Sequence, residues 1–275
     1  MSRTLVLVGS FLALAVSLGL GAEAPSSAAN LTAEQIIEKN AAARGGLQAW
    51  RAVQTLSMSG KMDAGGNETP TRPVQGVSTG GVQLPKRPTE QVQLPFRLEL
   101  KRVRKSRLEL DFSGKTAVQV YDGANGWKLR PYLNRHEVET YTPDELKAAA
   151  LQSDVDGYLV DHLAKGTKVE LEGTDKVEGK DAYRLKLSFK DGQTLHLWVD
   201  ANTFLETKIE GTPRRLDGKY HQVETYYRDY RTVSGLMIPY VMETKVQGVK
   251  QTEKIEIENV AVNPRVEDSR FAKLQ

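Results

Sequence analysis

The sequence predicts an α+β fold that is mainly antiparallel β. The main evidence is the stretch 181–209, in which apolar and polar residues alternate with a period of two through three consecutive segments. Asp191-Gly192 and Asp200-Ala201-Asn202 separate these segments and are typical turn sequences. Such a meander buries one face and leaves the other in water. The rest of the chain adds strands to this sheet, or supplies short helices that cover its apolar face.

The first 24 residues are predicted to be a secretory signal peptide. Arg3 precedes an apolar run, residues 5–20, which is shorter than the ~20 residues of a membrane span. Ala22-Glu23-Ala24 has the form of a cleavage site, and the small residues after it allow cleavage as late as residue 29. An uncleaved anchor helix is the alternative. We therefore expect an exported, periplasmic chain whose residues 30–275 form a single domain.

Composition excludes several classes of function. The chain has no cysteine, which excludes disulfides, thiolate chemistry and a lipid-modified N-terminal cysteine. Lys and Arg number 38 against 35 Asp and Glu, a balance that predicts no bulk attraction to nucleic acid. The four histidines are widely spaced and show no metal-binding pattern, and His196, which alternates with apolar neighbours, is predicted to lie on a solvated face. No metal or cofactor is expected.

Two motifs resemble functional signatures but lack the required context. The stretch 76–80 has the Gly-x-Ser-x-Gly form of a nucleophile elbow around Ser78, yet neither a buried strand before it nor a helix after it is present. Residues 154–157 resemble the start of a calcium loop, but the later ligands are missing. We interpret the first motif as a flexible loop and the second as a helix cap, and we predict no catalytic residue.

The predicted elements begin with a helix from Thr32, where Gln35 completes a capping box and Gly45-Gly46 ends the helix. A strand at 55–62 follows, and then a Gly- and Pro-rich loop at 63–95, for which a domain linker is the alternative. A second capping box at Thr142 opens a helical region that restarts at 153 and ends at Gly166. The remaining predicted strands are 96–100, 108–112, 118–121, 126–131, 137–141, 223–230, 236–246 and 252–262, the last with a bulge at Asn259.

Five cations lie within seven residues at the tip of a predicted hairpin. They are Lys101, Arg102, Arg104, Lys105 and Arg107. A solvated tip that protects a sheet edge is one interpretation. A site for a phosphate or a lipid headgroup is the other.

The predicted strands offer more apolar surface than the short helices can cover. About ten amphipathic strands form a sheet that should curl, and a curled sheet with a partial helical plug leaves a cavity for an apolar ligand. The alternative is that neighbouring side chains fill this space. The candidate cavity residues are Tyr183, Leu185, Leu187, Leu195 and Leu197 from the meander, with Ile36, Ile37 and Leu146 from the helices.

The order of these features resembles the LolA/LolB-type outer-membrane lipoprotein-sorting superfamily over nearly all of the mature chain. The most specific parts are Asp122-Gly123 with Trp127, the stretch 181–200 and the stretch 229–239. The resemblance implies an unclosed β-barrel with two or three short helices as plug or lid, a cavity for acyl chains, no enzyme chemistry and no cofactor. It also implies that Arg102 latches the lid, although Val103 stands where the family has proline.

We therefore expect a monomeric, non-enzymatic carrier that binds the acyl chains of lipoproteins or lipids. The resemblance implies that it exchanges this cargo with a membrane-associated donor or acceptor protein. A regulatory module of the same fold, which senses a lipid or a protein without transporting it, is the alternative.

Overall fold

Thirteen antiparallel strands form one sheet in the residues that the computed structural model describes, 31–65, 91–131, 135–216 and 218–274. The predicted signal peptide, the Ser78 motif and most of the predicted loop at 63–95 lie outside these residues. The sheet does not close, and four short helices accompany it. The predicted fold class is confirmed.

The elements follow one another in a simple order. The helices are α1 (Ala33–Ala43), α2 (Leu47–Ala52), α3 (Pro143–Gln152) and α4 (His162–Lys165), and a 3-10 helix, Asp268–Phe271, lies near the C-terminus. The strands are β1 (Thr55–Gly65), β2 (Gln91–Lys101), β3 (Lys105–Phe112), β4 (Lys115–Tyr121), β5 (Gly126–Arg130), β6 (Arg135–Thr140), β7 (Lys168–Val177), β8 (Lys180–Ser188), β9 (Thr194–Asp200), β10 (Glu206–Leu216), β11 (Lys219–Val233), β12 (Leu236–Val246) and β13 (Glu253–Val262).

The first and last strands in the sequence, β1 and β13, pair with each other in the middle of the sheet. Leu56 of β1 lies opposite Val262 of β13, while the other edge of β1 pairs with β2. This pairing joins the meander β1–β6 to the meander β7–β13, and it leaves β6 and β7 as the two edge strands. Because β6 and β7 are consecutive in the sequence, the segment 141–167, which contains α3 and α4 and which we call the crossover, connects the two edges.

One face of the sheet, the inner face, packs against the helices. Cross-strand pairs place Leu56, Leu100 and Ile257 on this face, and these side chains share a core with Trp50 of α2 and Val155 of the crossover. On the outer face, Phe271 of the 3-10 helix packs on Val118 and Val120. The C-terminal segment and the crossover therefore cover opposite faces of the sheet.

The hairpin turns lie alternately at two rims. The α2 rim is the end of the sheet at which α2 leads into β1, and it includes the turn between β2 and β3. The opposite rim includes the turns between β8 and β9, β10 and β11, and β12 and β13. The strict alternation of an antiparallel meander produces this arrangement.

Glycines permit two close approaches of the backbone. A Cβ on Gly45, whose φ is +107°, would lie 2.2 Å from the carbonyl oxygen of Gly235, so the end of α1 can pack on the turn between β11 and β12 only without a side chain. Gly60 faces the predicted bulge, where the register shifts from Ser59 opposite Asn259 to Gly60 opposite Ile257. The predicted bulge is confirmed.

The structure corrects several boundaries. Both capping boxes, at Thr32 and Thr142, are present. However, β1 and β2 extend into the predicted loop at 63–95, and β7 was missed. The helix predicted to restart at residue 153 is limited to α4, because Gly157 (φ +77°) and Asp161 (φ +52°) adopt left-handed conformations that interrupt a helix.

We expect Leu185→Ala to lower the free energy of unfolding by ~2–5 kcal/mol, since Leu185 is fully buried and its removal leaves a cavity. Leu195→Ala should cost clearly less, because Leu195, on the neighbouring strand β9, is only half-buried. Urea unfolding of both variants provides the measurement. Equal losses would show that this part of the inner face is not tightly filled.

Candidate functional site

The predicted cavity residues of the meander and of α1 lie in a filled part of the inner face, whereas Leu146 lies apart from them on α3. Leu185, Leu187, Leu197 and Ile36 are fully buried. Tyr183 and Ile37 are nearly so, and Leu195 and Leu146 are half-buried. The role of these eight residues in ligand binding stays a prediction.

Helix α1 connects to this filled part through the turn between β9 and β10. The Asn40 side-chain amide donates a hydrogen bond to the carbonyl of Phe204 at 2.8 Å. The Phe204 ring stacks on Tyr183 of β8, with a distance of 6.0 Å between ring centroids. Fully packed side chains of this kind offer no room to a ligand unless the helix moves.

A second part of the inner face is apolar but only partly covered. Its side chains pack on the core formed with α2 and the crossover while keeping part of their surface accessible. We call this set the open strip: Met62, Leu98, Leu108, Leu110, Met242 and Ile255. The pairs Met62–Ile255 and Met242–Ile255 place three of these residues side by side on β1, β13 and β12. The pair Leu98–Leu108, with Leu110 two residues further along β3, places the other three on β2 and β3.

The open strip was missed from the sequence. Its residues belong to strands that were predicted, and they alternate with polar neighbours as regularly as those of the filled part do. Alternation shows which side chains share a face, but it does not show which part of that face the helices cover. The sequence therefore indicates that these side chains share a face, but it does not indicate that they stay partly exposed.

The buried carboxylate of Asp156 holds the crossover to the α2 rim. Its Oδ2 accepts a hydrogen bond from Arg102 Nη2 at 2.7 Å, and its other oxygen accepts from Lys165. The Asp156 carbonyl accepts from Arg44 Nη1 at 3.0 Å. The helix-cap role predicted for residues 154–157 is wrong, because the caps of the flanking helices are Ser153 and Asp161 and the Asp156 carboxylate is engaged in ion pairs.

Arg102 contacts three parts of the fold at once. Besides Asp156, its guanidinium donates to the carbonyls of Val53 at 2.6 Å and Trp50 at 2.7 Å. These contacts connect the turn between β2 and β3 with α2 and with the crossover. A latch requires this geometry, and the latch role of Arg102 stays a prediction.

Each cation of the basic hairpin tip contacts a carboxylate. Lys101 and Lys105 both contact Asp268, at 3.3 and 2.9 Å, in the C-terminal segment. Arg104 lies 3.4 Å from Asp154, and Arg107 pairs with a glutamate of its own strand. The solvated-tip interpretation is wrong because the crossover and the C-terminal segment supply partners from far along the chain. Anion binding by Arg102 or Arg104 stays a prediction.

Helix α3 has fewer buried contacts than the segment 153–160 of the crossover. None of its residues is fully buried. Lys128 of β5 forms an ion pair with Glu145, and Ser153, just after the helix, donates a hydrogen bond to Ser106 at 2.7 Å. Burial tends to raise the pKa of Glu145, but the hydrogen bonds from Lys128 and from the Thr142 backbone outweigh it, so that pKa lies below its ordinary value.

Other features of the structure fit a ligand site less well. A pocket of about 180 Å³ between the crossover and the turn of β8 and β9, next to Tyr158 and Phe189, is below the roughly 300–1,000 Å³ of common ligand pockets. Among the described residues, no group of three or more metal-ligating side chains comes together. His196 lies on the outer face as predicted, but it is half-buried, and Glu210 contacts its Nδ1 at 2.6 Å.

Within the described ranges, no helix combines the length and the apolar character that a membrane span requires.

We expect Arg102→Gln to raise amide hydrogen-exchange rates in residues 153–160 about tenfold or more, because a hydrogen bond to a charged group contributes ~1.5–3 kcal/mol. Arg51→Gln is the matched control, since the more exposed Arg51 also joins α2 to the crossover, through Asp161 at 3.0 Å. Equal effects of the two changes would contradict a specific role of Arg102.

The fold is shared with solved structures of low sequence identity. A LolA superfamily protein of Nitrosomonas europaea has a TM-score of 0.56 at 15% identity, over 88% of this chain and 98% of its own. A DUF1329 family protein of Desulfovibrio piger has a TM-score of 0.54 at 12% identity, over 87% and 97%. The outer membrane lipoprotein-sorting protein domain described from Vibrio parahaemolyticus has a TM-score of 0.53 at 12% identity, over 86% and 95%.

No protein-family model matches this sequence, and no curated protein matches it. The structural likeness covers most of this chain and nearly all of each of the three neighbours. The chain therefore has the fold of the LolA superfamily, an unclosed antiparallel sheet with short helices.

Proposed function

We propose that this protein is an exported carrier that binds the acyl chain of a lipid or lipoprotein on the open strip. The observation that carries the proposal is the set of partly exposed apolar side chains Met62, Leu98, Leu108, Leu110, Met242 and Ile255 on the inner face of an unclosed sheet. Two of the structural neighbours are described as a LolA superfamily protein and an outer membrane lipoprotein-sorting domain, which supports the same assignment.

The chemistry of the open strip favours a hydrocarbon chain over a polar ligand. All six side chains are aliphatic or thioether, so each acyl methylene that leaves water for this surface contributes ~0.8 kcal/mol. The two methionines, Met62 and Met242, can adapt to chains of different shape. Such a site recognises the length and flexibility of an acyl chain rather than its headgroup, and it needs neither a catalytic group nor a cofactor.

A carrier also has to take up and release its cargo, and the crossover has the properties of a lid. Its central part is held by the buried Asp156, whereas α3 has no fully buried residue. An element with few buried contacts opens locally at a small free-energy cost. We propose that α3 moves first, and that the Arg102–Asp156 contact limits how far the crossover opens.

The cellular setting is part of the proposal. The predicted signal peptide, with its apolar run at 5–20 and its cleavage site near 24, supports export to the periplasm. An acyl chain that crosses an aqueous compartment requires shielding from water, which the inner face supplies. A membrane-associated donor or acceptor would then exchange cargo with the protein.

We expect Leu110→Asn and Met242→Asn each to weaken binding of a fluorescent fatty acid about tenfold or more, because each removes apolar surface worth ~1.5–3 kcal/mol when buried. Leu163→Asn is the control, because Leu163 is 77% exposed and lies outside the strip. Displacement of the probe by an unlabelled fatty acid measures the affinities. Absence of probe binding to the unaltered protein would refute the proposal.

A lipid-transfer assay between vesicles distinguishes a transport protein from a lipid sensor. A carrier should accelerate movement of the fluorescent lipid from donor to acceptor vesicles, in proportion to its concentration. Binding of the probe without such acceleration would favour a lipid-sensing module of the same fold.

We expect Leu146→Asp to speed release of the probe while lowering stability only modestly, because Leu146 is half-buried on the weakly held α3. Ile37→Asp, in the buried part of α1, should instead lower stability by several kcal/mol. Stopped-flow release rates and urea unfolding distinguish the two. If Leu146→Asp leaves the release rate unchanged, α3 is not part of a lid.

A further inference from the structure

We propose that the rim opposite α2 docks onto an anionic lipid surface through the turns between β10 and β11 and between β12 and β13. This inference rests on the proposed function and names the surface through which cargo is exchanged. We call this surface the basic rim: Lys219, Tyr220, Lys250 and Lys254.

The fold brings the two turns together. Strands β11 and β12 are neighbours, with Val223 opposite Val246, so the hairpins β10–β11 and β12–β13 lie side by side. Their turns are separated by about two strand spacings, ~10 Å. Both turns lie at the same rim, because β11 begins and β12 ends there.

The charge of these turns is positive and in part unpaired. Residues 214–220 and 247–254 together contain five Lys and Arg against two Asp and Glu. Arg214 and Glu253 form a bidentate ion pair, with N–O distances of 2.6 and 2.7 Å. Within the described part of the chain, the exposed ammonium groups of Lys219, Lys250 and Lys254 have no carboxylate within ion-pair distance.

The α2 rim makes the contrast clear. There, five clustered cations all contact carboxylates, for example Arg102 with Asp156 and Lys105 with Asp268. A membrane surface attracts cations whose charge is not already compensated nearby. Although the sequence concentrates its cations in the turn between β2 and β3, those five are paired, whereas Lys219, Lys250 and Lys254 at the opposite rim are not, within the described residues.

Tyr220 adds an anchor suited to the boundary between lipid and water. Its side chain is 75% exposed and follows Lys219 directly at the tip of the hairpin. Tyrosine is enriched at membrane interfaces because its ring is apolar while its hydroxyl hydrogen-bonds with water. A lysine beside an exposed aromatic ring fits an anionic lipid surface better than it fits a purely ionic partner.

The basic rim is also continuous with the open strip. Lys254 precedes Ile255, and Ile255 lies opposite Met62 across β1 and β13. The backbone N–H of Lys254 donates to Asp63 at 3.0 Å, which holds this end of β13 against β1. Docking at the basic rim would therefore place the edge of the acyl-binding surface at the lipid surface, so that a chain could transfer without crossing bulk water.

The test is sedimentation of the full mature protein with vesicles of phosphatidylcholine, alone and mixed with phosphatidylglycerol. We expect binding only to the anionic vesicles, and weaker binding as salt rises. The double variant Lys219→Glu/Lys250→Glu should lower the partition coefficient about 20-fold or more, since each lysine near an anionic surface contributes roughly fivefold.

The matched control is Lys180→Glu/Lys273→Glu, which makes the same change in net charge away from the basic rim. Lys180 begins β8 at the α2 rim, and Lys273 is an exposed residue of the C-terminal segment. If this control reduces vesicle binding as much as the rim variant does, the attraction is general and the proposal fails. Absence of binding to anionic vesicles, or equally tight binding to a single-stranded oligonucleotide, would also overturn it.

Fatty-acid binding without vesicles separates the two proposals. The rim variant should keep the affinity of the unaltered protein for the fluorescent fatty acid, because its substitutions lie outside the open strip. If the unaltered protein binds vesicles but no fatty acid, the docking surface stands and the carrier function fails. If it binds fatty acid and never anionic vesicles, the carrier function stands and the docking surface fails.

Discussion

The pairing of β1 with β13 is the constraint on which the rest of the structure depends. It joins the strands nearest the two ends of the described chain, such as Leu56 with Val262, and so converts two meanders into one sheet. With the middle of the sheet formed by the ends of the chain, its edges must come from the middle of the sequence, at β6 and β7. The crossover between them is thereby required to lie next to both edges.

The chain uses buried charge to attach the crossover and apolar contact to support it. Asp156 has no exposed surface, and Arg102 and Lys165 neutralise it, so that its desolvation is compensated only when the crossover is in place. Val155 and Val160, on either side, join the core with Trp50. The Asp156 ion pairs fix the orientation of the crossover, because the strength of an ion pair depends more on geometry than aliphatic packing does.

The inner face combines two surfaces with different properties. The filled part, with Leu185, Leu197 and Ile36, stabilises the fold through complete burial. The open strip, with Leu110 and Met242 among its members, forgoes part of that stabilisation and keeps apolar surface accessible. In the proposed carrier, the first would maintain the sheet while the second would bind cargo, and their separation would allow the crossover to move without unfolding the core.

The electrostatic pattern follows from the same topology. Cations of the turn between β2 and β3 meet carboxylates of the crossover and of the C-terminal segment, which are fifty or more residues away in sequence. Lys219, Lys250 and Lys254 at the opposite rim meet none among the described residues. Long-range pairing thus determines which of the positively charged turns keeps its charge available to a partner.

The sequence by itself determined the local structure. Alternation in 181–209, the capping boxes at Thr32 and Thr142 and the bulge near Asn259 depend on neighbours within a few residues, and the structure contains all of them. Only the tertiary structure decided the partners of Arg102, the burial of Asp156 and the division of the inner face into filled and open parts. These depend on which distant segment covers a given strand, and the period-two pattern is identical for a covered and an uncovered apolar side chain.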